Sequence, residues 1–218
     1  MSVLRSIIHA FCEAPVLCLA LFALIPLGFL LHILAACIPA ILFVLALFFF
    51  RDPERATPRD DAVLYASADG KVLRMEEAEY AGISGGKGWR VLIFMSPLNV
   101  HRNRAPMHGR VQEVRYKKGE FLPAFREGMH LVNERASVVF QSPDDASRRV
   151  VVTQIAGILA RRIVCRAEVG VEYAQGEQFG LIRFGSANEM IFDSEWQPLV
   201  QEGTRVRAGV TVIARRKA

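Results

Sequence analysis

Cysteine is scarce: Cys12, Cys18, Cys37 and Cys165 are the only four in 218 residues. Three fall in or beside one apolar stretch and the fourth stands alone, so neither a disulfide framework nor a metal knuckle is offered. Lysine is nearly as sparse, limited to Lys71, Lys87, Lys117, Lys118 and Lys217. None lies in a convincing phosphate-binding loop, which removes a pyridoxal-phosphate site built on a Schiff-base lysine. Gly85-Gly-Lys-Gly88 lacks the Walker spacing and the Ser or Thr that should follow, and reads as a hairpin turn. No heptad run is visible, so a long coiled coil is excluded. The formal net charge is +5, yet the clusters Arg115/Lys117/Lys118, Arg148/Arg149, Arg161/Arg162 and Arg215/Arg216/Lys217 form no recognition helix or aromatic platform. Nucleic acid is therefore not an expected partner. A solvated basic face and attraction to anionic lipid headgroups both remain open.

Charge is missing altogether from Ala14 to Phe50, where His32 is the one strongly polar side chain. About 20 apolar residues cross the hydrocarbon core of a bilayer, so this stretch has the length for two short helices. Pro26-Leu-Gly28 and His32 lie near a turn between them, and Pro39 falls inside the second half. A single long tilted helix and a re-entrant hairpin are the alternatives. No small-residue cleavage site closes the stretch before Arg51, which argues against a removed signal peptide. Residues 1–50 are accordingly expected to be a membrane segment, and residues 51–218 a separate domain. Arg5 precedes the segment and Arg51, Arg55 and Arg59 crowd its exit. Basic flanks stay inside, so a hairpin would place the domain on the cytoplasmic side of the inner cell membrane.

After Asp60 the chain breaks into short β-type runs separated by glycine turns. Lys71–Leu73, Arg90–Met95, Ser137–Phe140, Arg149–Thr153 and Val210–Ala214 are β-branched and closely spaced. They predict a mostly β domain of the β-rich α+β kind with few helices. Ile155–Ile163 is the best helix candidate and reads equally well as a strand. A weak echo links Asp69–Val72, the segment from His108 to Gly119, and the segment from Val200 to Gly209. Its β-turn-β rhythm resembles the hairpins of lipoyl and biotinyl carriers. This keeps an alternative in view, a membrane-tethered adaptor or carrier without chemistry of its own. A carrier lysine in a Met-Lys-Met or Asp-Lys context is absent.

The most informative short motif is Phe184-Gly185-Ser186 within Gly180–Ser186. A Gly-Ser bond can cut itself: the hydroxyl attacks the preceding carbonyl to give an ester, and elimination leaves dehydroalanine, which hydrolyses to a pyruvoyl group. Glycine suits the bent geometry this requires. Alone, the pair is more often a turn. Five further blocks accompany it in order: Phe49–Arg55, Ala68–Val72, Asn99–Pro106, Asn133–Arg135 and Gln154–Ile163.

Together the six blocks resemble the short, membrane-anchored form of the phosphatidylserine decarboxylase family, over nearly the whole chain. The resemblance implies a proenzyme cut between Gly185 and Ser186 into a large chain, 1–185, and a small chain, 186–218. It implies a covalent pyruvoyl cofactor made from Ser186, no metal, and conversion of phosphatidylserine to phosphatidylethanolamine at a membrane. A homodimer is left open. Asp69 matches the family's self-cleavage aspartate and His101 its first histidine, a residue type able to move protons in both directions near neutral pH. Where many relatives carry a second histidine this chain has Arg104, with His108 as a spare candidate. The family's Arg-Val-Asp after the serine is replaced by Ala187-Asn188-Glu189, and Glu189 is expected to retain the acidic function. Arg102, Arg104 and Arg183 are candidates for the lipid phosphodiester or carboxylate, with a structural role for Arg183 as the alternative.

Overall fold

The computed structural model describes residues 14–31, 33–80, 82–123, 126, 128–158, 162–183 and 186–217. The chain separates into two compact units, Met1–Glu54 and Arg55–Ala218.

In the first unit, α1 (Pro15–Leu31) and α2 (Ile33–Phe49) are helices of 17 residues each. Proline at the first position of α1 suits a helix start, because its missing N–H has no intrahelical partner there. Neither helix has a charged residue, and Val16, Phe22, Phe29, Ile38, Ile41 and Val44 are all exposed. The rings of Phe22 and Phe43, 5.8 Å apart and tilted at 53°, join the two helices. Two helices therefore occupy the apolar stretch in place of one long one. The turn expected at His32 falls on a residue outside those described. Among the described residues, no helix is long and apolar enough to cross a membrane.

The second unit is mostly β. Its main antiparallel sheet has eight strands. In spatial order they are β13 (Arg205–Val206), β2 (Gly70–Glu79), β3 (Lys87–Met95), β11 (Ser186–Asp193), β7 (Arg149–Ile155), β6 (Arg135–Gln141), β5 (Gly109–Lys117) and β9 (Glu172–Tyr173). Two three-stranded sheets complete it. One runs β1 (Val63–Tyr65), β14 (Val212–Arg216), β12 (Trp196–Pro198), and the other β4 (Arg102–Arg104), β10 (Gln178–Arg183), β8 (Arg162–Cys165).

Period-two alternation decides which side chains meet. On one face of the large sheet, Val91, Ile93 and Met95 of β3 pack with Met190 and Phe192 of β11 and with Val150 and Val152 of β7. Leu64, Phe179, Trp196 and Ile213 from the smaller sheets join the same core. The opposite face carries Leu92, Ile155 and Ala187, and separately Val139, Val151 and Ile191. Strand β11 is buried along its whole length.

The helix candidate at 155–163 is not a helix: Ile155 ends β7 and Arg162 begins β8, with 159–161 outside the described residues. Pairing of Gln154 and Ile155 with Asn188 and Ala187 of β11 satisfies that backbone in the sheet. Asp69-Gly70 also differs from the turn its sequence suggests. Gly70 starts β2, where a Cβ would sit 2.0 Å from the Phe94 carbonyl oxygen, so glycine serves a close strand approach.

Candidate active site

Along the core-facing side of β11, the apolar pattern Met190, Phe192 gives way to Ser186 and Asn188. The change places polar groups where packing alone would call for hydrocarbon. Ser186 opens the strand opposite Met95 of β3 and is fully buried. Among the described residues its hydroxyl reaches one partner, the Met95 sulfur, at 3.5 Å. A thioether is a weak acceptor, so the hydroxyl is enclosed without being locked to a strong one. Phe184 and Gly185, including the expected cleavage residue Gly185, lie outside the described residues.

A buried carboxamide network surrounds that sulfur. Asn103 of β4 donates its Nδ2 towards Met95 Sδ at 3.9 Å, beside the serine. Its Oδ1 accepts from Gln154 Nε2 at 2.8 Å. Gln154 stands on β7 opposite Asn188, and the Asn188 Oδ1 accepts from the Ser67 hydroxyl. All four residues are buried. Burying an amide without a partner is costly, yet among the described residues Gln154 Oε1 and Asn188 Nδ2 both have no hydrogen-bond partner. Asn103 and Gln154 fall within blocks already noted in the sequence, but no role attached to them there. The available signal was a polar residue at a core-facing strand position.

Asp69 lies at the same end of the sheet, beside Gly70, with its carboxylate turned to Arg55. Two guanidinium nitrogens approach at 2.5 and 2.7 Å, and the Ala208 N–H donates at 2.8 Å. Arg55 also donates to the Ala208 carbonyl at 2.6 Å. This fork joins the Phe49–Arg55 and Ala68–Val72 blocks. Asn133 has a comparable function further along. It accepts from the Leu122 N–H and donates to the Leu122 and Ala156 carbonyls, fastening the preceding loop to the end of β7.

His101 is buried and its Nδ1 lies 3.0 Å from the Asn99 carbonyl. A carbonyl only accepts, so Nδ1 carries the hydrogen of this contact, which fixes the orientation of the ring. The His101 carbonyl accepts from the Ile182 N–H of β10, four residues before Ser186. Arg104 donates Nη1 to the Gly176 carbonyl at 3.0 Å. It pairs with Gln178 at one end of β10, whereas Arg183 ends that strand opposite Arg162. The two arginines are not brought together. His108 is held by Glu172 at 2.7 Å, on the edge where β5 meets β9. Among the described residues, no group of three His, Cys, Asp or Glu is arranged to hold a metal.

Glu189 does not join this site. Three residues from Ser186 is an odd step along a strand, so it points to the other face. There it pairs with Arg90 at 3.1 Å, and Arg90 also donates to Glu76 at 3.0 Å. The surrounding cleft, about 370 Å³, is lined by His130, Arg135 and Lys117 among others. Burial pushes the Glu189 carboxyl above its ordinary range, against a smaller opposing pull from Arg90. A carboxyl that holds its proton more tightly when folded favours the fold at low pH. That contribution is lost as pH rises from about 4.3, the ordinary glutamate value, through the raised folded value. The urea midpoint of Glu189→Gln is expected to fall less steeply than that of the unaltered protein across this window. His130, pushed down chiefly by its own burial, works in the opposite sense as pH falls below about 6.5. Parallel curves for the two proteins would contradict the assignment.

Comparison with known proteins bears on most of the chain. The profile of the family described as phosphatidylserine decarboxylase matches residues 42–214. A phosphatidylserine decarboxylase proenzyme of Symbiobacterium thermophilum is 42% identical over 196 residues, covering 90% of each chain. One from Chlorobium phaeobacteroides is 42% identical over 176 residues, covering 81% of each. One from Carboxydothermus hydrogenoformans is 39% identical over 199 residues, covering 91% of this chain and 92% of its own.

Proposed function

This chain belongs to the phosphatidylserine decarboxylase family, and from that premise we propose that it cuts itself between Gly185 and Ser186 and decarboxylates phosphatidylserine with the group so formed. The observation that carries the reading is the buried, loosely held hydroxyl of Ser186, set among carboxamides at the start of an otherwise apolar strand. In the cut, Ser186 Oγ adds to the Gly185 carbonyl carbon and the Ser186 nitrogen leaves it, replacing the amide by an ester. Loss of the Ser186 Cα proton expels the Gly185 carboxylate, and water then releases ammonia to leave a carbonyl at residue 186.

The residues present suit a pyruvoyl group there. Asn103, Met95 and Gln154 would hold it, and Gln154 Oε1 and Asn188 Nδ2 are polar atoms without a hydrogen-bond partner among the described residues. When formed, the group supplies an electron-withdrawing carbonyl for the electrons released with carbon dioxide. His101 would return a proton to the substrate carbon, its Nδ1 hydrogen bond fixing the ring for exchange at Nε2. Arg183, three residues before the serine, would face the anionic headgroup. Arg104 is committed at least in part to Gly176.

The apolar helices support attachment to the inner membrane, with the β unit on the cytoplasmic face. Removing residues 1–54 is expected to leave a folded protein that no longer sediments with phosphatidylserine vesicles. It should still release carbon dioxide from a soluble short-chain phosphatidylserine, with a larger loss on vesicles. A truncated protein equally active on vesicles would contradict the anchor, and a full chain that matures but releases no carbon dioxide from phosphatidylserine would contradict the substrate.

A further inference from the structure

The carboxamide of Asn103 is oriented, and the orientation has a chain of causes. Gly180 of β10 leaves room: a Cβ there would stand 2.8 Å from Gln154 Nε2 and 2.6 Å from the Val164 carbonyl oxygen. Gln154 can therefore lie flat against β10 and place its Nε2 donor on Asn103 Oδ1. With that oxygen occupied by a donor, the other arm of the Asn103 amide is its N–H₂ group. That group points to Met95 Sδ, the same sulfur that the Ser186 hydroxyl approaches. A buried N–H whose one partner among the described residues is a distant thioether is poorly satisfied. A donor in that condition, meeting the same sulfur as a nucleophile and away from water, is preorganised for negative charge that develops during reaction.

We propose that Asn103 is a catalytic residue of the self-cleavage step, donating Nδ2–H to the charge that arises when Ser186 Oγ attacks, and that Gln154 is the positioning residue that aims it. The inference rests on the self-cleavage reading above. It adds two residues whose role is electrostatic and does not require them to act as acid or base.

The test follows freshly synthesised full-length precursor by intact mass over time, with the fraction of ester measured by hydroxylamine cleavage. Asn103→Asp keeps the shape and replaces the donor by an acceptor. It is expected to cut about 100-fold more slowly, the loss typical of one oxyanion donor, and to accumulate less hydroxylamine-labile ester. Gln154→Glu cannot donate to Asn103 Oδ1, and turning the amide round should slow cutting about 10-fold or more. Asn103→Ala and Gln154→Met bury no new charge and carry the test if the acidic variants do not fold. Folded Asn103 variants that cut at the unaltered rate would overturn the proposal, as would slowing that merely tracks a lower Tm. Cutting of Ser186→Ala in the same assay would instead overturn the self-cleavage reading itself.

Discussion

Ser186→Ala is expected to yield a single uncut chain with no decarboxylase activity. The substitution removes one oxygen from a fully buried position opposite Met95. Loss of the weak contact to sulfur costs little stability, so the fold should persist with an unchanged Tm. Without the hydroxyl no ester forms, no elimination follows and no carbonyl appears at residue 186. Activity should fall to background, because the other features named here position or transfer protons and none accepts electrons. Intact mass and carbon dioxide release measure the two consequences separately. A Ser186→Ala protein that still cuts would place the nucleophile elsewhere.

Asp69→Asn and Arg55→Met should have the next largest effects, and the structure changes what they mean. Read from sequence, Asp69 is a partner of the serine in self-cleavage. In the fold its carboxylate is forked to Arg55, with side chains only 10% and 8% exposed. Removing either partner strands a buried charge, a loss of about 3–5 kcal/mol. Each single variant is therefore expected to lower the urea midpoint strongly and to mature slowly. Asp69→Asn combined with Arg55→Met strands no charge and should recover part of the stability, with clear non-additivity. If Asp69 acted only as a base, Arg55→Met would leave stability and maturation near normal. Urea denaturation of the three variants, beside their maturation rates, distinguishes the two accounts.

The mostly β character was legible because β-branched runs with glycine punctuation are local signals, and Arg90–Met95 and Arg149–Thr153 lie within β3 and β7. Ile155–Ile163 was ambiguous for a physical reason: a short apolar run carries little periodicity, and its ends fall in two strands, Ile155 in β7 against β11 and Arg162–Ile163 in β8 against β10. Ser186 was visible through the chemistry of a Gly-Ser bond. The fork between Arg55 and Asp69 was not, since a turn of unknown path separates two residues fourteen apart. Gln154 and Asn103 are 51 positions apart and meet only because β4, β10 and β7 converge. Glu189 is the instructive miss. Once 186–193 is recognised as a strand, parity alone places 189 on the far face from 186, whatever its charge.

Intact-mass analysis of the purified full-length protein tests the central claim most directly. Two chains are predicted: residues 1–185 with an ordinary carboxyl terminus, and residues 186–218 lighter by one ammonia than a chain beginning with serine. A single uncut chain after prolonged incubation, or a small chain beginning with unmodified Ser186, would contradict it.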